Sequence, residues 1–247
     1  MLLGVNNGNQ ITNANGASIT TSGAYNDGMA ANGSGNTLTN RGSITTSGPN
    51  AYGMTAAWGQ TNVGQSNNTL INSGTVTTSG SNARAASILG GNGTINNSGT
   101  LSTSGANSPT AYLQGNNDQL INSGTITASG AGSDAVFSNT AGSSFVATIQ
   151  NLAGGSIISQ NGSGIRTLNG SSTITNAGLV QSGIGTAITM GNGNNTLILQ
   201  TGSVINGAAD GGAALHRISS DWWGRSKPRD RNANLSPKSA KYTLFDN

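Results

Sequence analysis

The sequence predicts an all-β fold, a right-handed parallel β-helix of about eight triangular rungs, and three observations carry that reading. A phrase of the form apolar-x-Asn-x-Gly-x-apolar returns along the chain, with central glycines at Gly16, Gly42, Gly74, Gly99, Gly124, Gly155, Gly178 and Gly202. Self-similarity at this interval means stacked units, each too small to bury its own apolar side chains. Around the glycines, Ser43-Ile44-Thr45, Thr75-Val76-Thr77, Thr100-Leu101-Ser102 and Thr125-Ile126-Thr127 alternate polar and apolar residues. A period of two with β-branched residues reads as half-buried strand. Finally, no segment shows the three-and-four apolar spacing of a helix, and the chain has no glutamate and no lysine before residue 211, which excludes helical repeats.

Each rung is expected to carry three short strands. One ends in the asparagine, as in Thr37-Leu38-Thr39-Asn40 and Thr94-Ile95-Asn96-Asn97. A second follows the marker glycine. The third follows a Ser-Gly corner, as in Ala51-Tyr52-Gly53-Met54, Ala83 to Ile88, Ala111-Tyr112-Leu113, Ala135-Val136-Phe137 and Thr186-Ala187-Ile188. The glycines of the marker and the Ser-Gly corner are expected to supply positive φ at the turns. Asn40, Asn72, Asn97, Asn122 and Asn176 recur two residues before the marker and are expected to stack as a hydrogen-bonded ladder. Leu38, Ile44, Leu70, Val76, Ile95, Leu101, Leu120, Ile126, Ile149, Ile157, Ile174, Val180, Ile198 and Val204 are expected to point inward as aliphatic columns. Burying each contributes about 1.5–3 kcal/mol before entropy, so a narrow core with few aromatics suffices.

Composition sets bounds. Charged residues make up 7% of the 247 residues, and there is no cysteine, so disulfides and thiolate metal sites are excluded. No apolar run approaches the roughly 20 residues that span a bilayer as a helix. Met1-Leu2-Leu3-Gly4-Val5 is too short for a signal-peptide core, so any export signal is expected outside this sequence. The repeat occupies residues 1–210; a basic, non-repeat tail follows over 211–247, with His216, Trp222, Trp223 and most of the positive charge. That tail reads as irregular or extraneous sequence joined to an interrupted repeat. A linker or a basic anchor for an acidic surface such as lipopolysaccharide or nucleic acid are the other readings.

Catalytic chemistry is tested by elimination. A Ser/His/Asp site needs an imidazole, and the body of the repeat has none. A polysaccharide lyase or hydrolase needs clustered acids, whereas Asp27, Asp118, Asp134 and Asp210 are scattered. Asp118 and Asp134 form the closest acidic pair, and each aspartate reads as a solvated turn residue. Gly191-Asn192-Gly193-Asn194-Asn195 is similar to a calcium-binding nonapeptide, but Asn195 stands where an anionic ligand is needed. No catalytic residue, metal ligand or cofactor is therefore expected. Two long intervals remain for recognition: one carries Trp58, Gln60 and Asn62, the other Phe145, and projecting loops are where rods bind. The alternative for Trp58 and Phe145 is that they cap or fill the core.

From Ile11 to about Asn206, the Ile-x-Asn-x-Gly-x-Ile-x-x-Ser-Gly rungs, ending in Gly193-Asn194-Asn195-Thr196-Leu197 and Gly202-Ser203-Val204-Ile205-Asn206-Gly207, resemble the passenger of a bacterial autotransporter of the pertactin-like, adhesin type. The resemblance implies secretion through a C-terminal β-barrel translocator, which this sequence lacks. It also implies location at the outer membrane, on the cell surface or outside the cell, a role as adhesin or stalk in virulence, and a host or environmental protein or glycan as ligand. No specific nucleic-acid partner is implied. Two other classes stay open: a carbohydrate-active β-helix enzyme, and an ice-binding repeat, because threonine flanks Ile19, Ile44, Val76, Leu101 and Ile126 in regular arrays.

Overall fold

The computed structural model describes residues 1–57, 65–139 and 145–212, together with the strands His216–Ser220, Ala233–Leu235 and Leu244–Phe245. The described residues form strands and no helix, and every strand pairing is parallel, giving a β-solenoid of about eight turns. Each turn visits three faces. The first face stacks Leu2–Gly4, Met29–Ala31, Met54–Ala56, Ala86–Ile88, Ala111–Leu113, Val136–Asn139 and Ile165–Leu168. The second runs from Gln10–Asn13 through Thr94–Asn97 to Asn195–Leu199, and the third from Ser18–Thr21 through Thr125–Ala128 to Ser156–Ser159. Leu179–Thr189 joins the third and first faces in one strand, and Val204–Asp210 pairs along both of its halves.

The predicted aliphatic columns form in register. On the second face Leu38, Leu70, Ile95, Leu120, Ile149 and Ile174 stand on one another; on the third Ile44, Val76, Leu101, Ile126, Ile157 and Val180 do so. All are buried. Ile198 and Val204 depart from the expectation: Ile198 is half-buried and Val204 is 46% exposed, and Leu197 and Ile205 take the inward places. The cause is corner length. Asn176 is four residues from Val180, whereas Leu199, its partner above, is six residues from Ile205, so Gly202 does not occupy the usual marker position. Met29 and Met54 complete the core from the first face, three residues later than the sequence placed the strand around Ala51–Met54.

Gly16 and Gly202 supply positive φ as expected, but the marker glycines of the shorter corners are needed for a different reason. Gly42, Gly74, Gly99 and Gly124 are not among the positive-φ residues; a Cβ on Gly74, Gly99 or Gly124 would lie 2.1 Å from the carbonyl oxygen of the marker glycine below. The Ser-Gly glycines are tighter still, with 1.8 Å between a Cβ on Gly105 and the Gly80 oxygen. The left-handed residues stand two places further on, Asn50, Asn82 and Asn107 at φ 54, 53 and 53, then Gly132 at 65. Asparagine tolerates that region because its short amide bonds locally.

The asparagine ladder is longer than predicted. Nδ2 of Asn13, Asn40, Asn72, Asn97, Asn122 and Asn151 each donates to Oδ1 of the next rung's asparagine at 2.8–2.9 Å, ending at Asn176. Asn13 and Asn151 escape a search keyed to Asn-x-Gly because their corners are longer.

Past Gly212 three short stretches are described as strands. His216–Ser220 pairs with Asn195–Leu199, Ala233–Leu235 with Val204–Asp210, and Leu244–Phe245 with His216–Ser220. A parallel ladder asks only for main-chain donors and acceptors, so it forms without the Asn-x-Gly corner. Trp222 and Trp223 lie outside the described residues.

Candidate functional site

The predicted recognition residues divide. Trp58, Gln60 and Asn62 lie outside the described residues. Phe145 is half-buried at the entry to the second-face strand Val146–Asn151, its carbonyl accepting from the Ser171 N–H at 2.8 Å. It stands where the described wall resumes after residues 140–144, which lie outside the described residues.

The aspartates are not solvated turn residues. Asp27, Asp118 and Asp134 are 1%, 0% and 5% exposed. Asp118, the first residue of the strand Asp118–Asn122, stands in register with Asn36 and Asn68 of lower rungs and copies their role. Its Oδ1 accepts from the Gly93 N–H at 2.8 Å, as Asn68 Oδ1 accepts from the Asn36 N–H, and its Oδ2 accepts from the Gly115 N–H at 2.7 Å. Desolvation by burial raises its pKa to about 7 against the opposing pull of those N–H groups. Asp27 Oδ1 accepts from the Tyr52 N–H while Oδ2 has no partner, and burial pushes this carboxyl too up to about 7. Asp134 and Asp118 stand at different corners of the coil, one leading into the first face and the other into the second. They do not share a cleft. Asn195 is likewise engaged internally, accepting from the Ser172 N–H and hydroxyl. Among the described residues no group of three or more His, Cys, Asp or Glu could hold a metal ion.

What the fold does assemble is a cation and aromatic strip on the first face. The outward column there runs Ala30, Thr55, Ser87, Tyr112, Phe137 and Arg166 from rung to rung. In the lower rungs these side chains are small. Tyr52 and Arg84, three residues before Thr55 and Ser87, lie alongside them: the Arg84 guanidinium carbon sits 3.5 Å from the Tyr112 ring centroid and 5.2 Å from that of Tyr52, and Nη1 donates to Ser87 Oγ at 3.2 Å. Tyr112 meets Phe137 edge to face at 5.6 Å, and Arg166 lies 4.3 Å from the Phe137 centroid. Arg166 Nε donates to Asp134 Oδ2 at 2.6 Å, and Asp134 Oδ1 accepts from the Ser163 N–H. Cation–π contacts of this kind each contribute about 0.5–2 kcal/mol and hold a guanidinium still.

Along this strip and the corner that feeds it lies a cavity of 230 Å3, lined by Arg84, Tyr112, Phe137 and Arg166 together with Asn107, Pro109, Gly132 and Asp134. A larger, more open depression of 320 Å3 at Gln181, Ser182, Asn206 and Gly207 offers neutral polar groups only. Two of the three arginines of the body and three of its aromatic side chains thus converge on one face. The signal was in the sequence: Tyr52, Arg84, Tyr112, Phe137 and Arg166 all fall in the segment after the Ser-Gly corner, and aligning those segments places them together. The threonine array also forms, with Thr45, Thr77, Ser102 and Thr127 stacked on the third face before Ile158 and Gln181 interrupt it. No protein family, characterised protein or solved structure matches the chain.

Proposed function

We propose that the chain is the β-helical passenger portion of an autotransporter, a non-enzymatic rod carried at the cell surface or released from it, serving as adhesin or stalk. The repeat phrase that resembles such passengers supports the family. The observation that carries the binding role is the first-face strip, a concentration of guanidinium and aromatic groups on a rod that is otherwise nearly uncharged. Aromatic and arginine clusters are the side chains that most often anchor recognition. The placement of the aspartates argues against a lyase or hydrolase: each accepts backbone N–H groups that the coil needs satisfied, and the two closest in sequence face different corners. General acid and base groups must instead face one substrate bond.

Beads coated with the purified chain should be retained on epithelial or polysaccharide-coated surfaces above albumin-coated beads, and the protein should leave pectin, alginate and casein intact. Retention no better than albumin, or depolymerisation that disappears in Asp134→Asn, would overturn the reading.

A further inference from the structure

We propose that the first-face cavity binds a carboxylated pyranose of an acidic polysaccharide, with the carboxylate on Arg84; this rests on reading the chain as a binding rod. Arg84 has unspent hydrogen-bonding capacity. Asp134 neutralises Arg166 by direct contact at the cavity's edge, and its other oxygen is held by the Ser163 N–H. Arg84 faces the same cavity with no carboxylate partner among the described residues. Its single described hydrogen bond goes to Ser87. A guanidinium has several N–H donors in a planar fork that matches a carboxylate, and the remaining donors of Arg84 have no described protein acceptor.

Its position is fixed beforehand. Tyr112 beneath it and Tyr52 beyond it hold the plane of the guanidinium, so an incoming anion meets an ordered fork rather than a mobile side chain. That same packing tells against a neutral sugar stacked on an aromatic platform. Arg84 lies against the ring of Tyr112 and Arg166 against that of Phe137, so those faces are already engaged. What remains for a ligand is positive charge, ring edges, and polar groups at the rim such as the exposed amide of Asn107.

Size and shape narrow the class. The cavity is smaller than the roughly 300–1,000 Å3 of drug-sized pockets, room for a single sugar ring. An acidic peptide recognised by strand addition would need a free strand edge, and the first-face strands here are paired above and below. Uronic and sialic acids both present the required carboxylate on a pyranose.

The test is binding of the full chain to tri-galacturonate and to 3′-sialyllactose, each beside its neutral counterpart, galactotriose and lactose, by titration calorimetry at low and at physiological salt. At least one acidic sugar should bind about tenfold or more tightly than its neutral counterpart, and weaken as salt is raised. Which acidic sugar binds identifies the source of the carboxylate. Arg84→Gln should abolish that preference and Arg84→Lys should keep part of it. Thr45→Ala, on the exposed third face, should bind as the parent does. Far-UV circular dichroism of each variant separates lost binding from lost folding, and should Arg84→Gln unfold, competition for the parent protein by free glucuronate against glucose decides instead. Equal binding of acidic and neutral sugars, an unchanged Arg84→Gln, tighter binding of an acidic peptide, or no binding at millimolar sugar would overturn the inference. If coated beads adhere yet none of these sugars binds or competes, this inference fails alone; if the beads do not adhere either, the adhesive reading fails with it.

Discussion

Asn97 in the middle of the asparagine ladder offers the sharpest test of what holds the rod together. Its Nδ2 donates to Asn122 Oδ1 at 2.8 Å, to the Gly99 carbonyl at 3.2 Å and to the Thr125 carbonyl at 3.3 Å, while its Oδ1 accepts from Asn72 Nδ2 at 2.8 Å. The two carbonyls fix which end of the amide is nitrogen, so the ladder has a direction. Asn97→Asp keeps the shape and reverses the chemistry: an anionic oxygen would face three acceptors. Losing those donors costs roughly 2–4 kcal/mol at about 0.5–1.5 each. Burying the charge adds several more unless the introduced carboxyl holds a proton. Near neutral pH the loss should be on the order of 4–7 kcal/mol, much of a domain's stability. Asn97→Ala should lose about 2–4, because it orphans Asn122 Oδ1 and leaves Asn72 Nδ2 two carbonyl partners, those of Gly74 and Thr100.

The pH dependence gives the reasoning away if it is wrong. The introduced carboxyl would have a folded pKa above its unfolded value near 4, so its neutral form contributes fully below about pH 4 and that contribution is lost as pH rises. The protonated group restores one donor toward Asn122. Urea denaturation followed by far-UV circular dichroism, near pH 4 and near pH 7, should show the aspartate variant weaker than the alanine variant at neutral pH and recovering in acid. An aspartate variant within about 1 kcal/mol of the parent at neutral pH, or one whose pH dependence matches the parent's, would refute the ladder's role.

Three further outcomes follow from the same geometry. Gly105→Ala, whose Cβ would meet the Gly80 oxygen at 1.8 Å, should destabilise the rod by several kcal/mol, while Gly154→Ala, at φ 82 with nothing within 4 Å, should cost about 1–2 kcal/mol; comparable midpoints in urea would refute close approach as the reason for glycine. Ile205→Asp should unfold the turns beside it and Val204→Asp should change stability by about 0.5 kcal/mol or less, since Ile205 is 7% and Val204 46% exposed; the reverse order would return the register to the one read from the glycine marker. Burial raises the carboxyls of Asp27 and Asp118 from 3.8 to about 7, so each holds its proton more tightly when folded; their contribution is complete below about pH 4 and is lost as pH rises through about 7. Asp27→Asn, which keeps an acceptor for the Tyr52 N–H, should flatten that decline in a series of thermal melts, and an unchanged slope would remove Asp27 from the account.

The parts of this fold legible in the sequence are those fixed by columns of identical residues. Leu70 above Leu38 and Asn97 above Asn72 repeat the same contact at each rung, so one copy of the phrase implies the others. Misreadings arise where the corner changes length. Gly16, Gly154 and Gly202 sit in six-residue corners and take positive φ, whereas Gly74 and Gly99 sit in four-residue corners and press against the carbonyl below. A search by glycine alone merges the two, and Val204 is then placed inward in place of Ile205. The aspartates look like loop residues in the sequence because they are short polar residues in Gly/Asn-rich stretches; nothing local shows that Asp118 occupies the column of Asn36 and Asn68.

The first-face site is hard to see in the sequence for a related physical reason. The inward positions of the second and third faces are constrained by the amide ladder and by the aliphatic columns, and substitution there meets a neighbour of the same kind above and below. The outward positions of the first face carry no such demand. Their side chains need only cover the strand beneath, and in consecutive rungs that is done by Thr55 with Tyr52, by Ser87 with Arg84, and then by Tyr112, Phe137 and Arg166 themselves. Irregularity on a periodic scaffold is therefore where chemistry can be placed without breaking a column. The rungs bring Arg84, Tyr112, Phe137 and Arg166 together across as much as 82 residues of sequence because parallel stacking sets them about 4.8 Å apart per turn. A change such as Tyr112→Ser should consequently loosen Arg84 and empty the strip of its order while leaving the asparagine ladder and the core columns intact, a separation of recognition from stability that the inward columns do not permit.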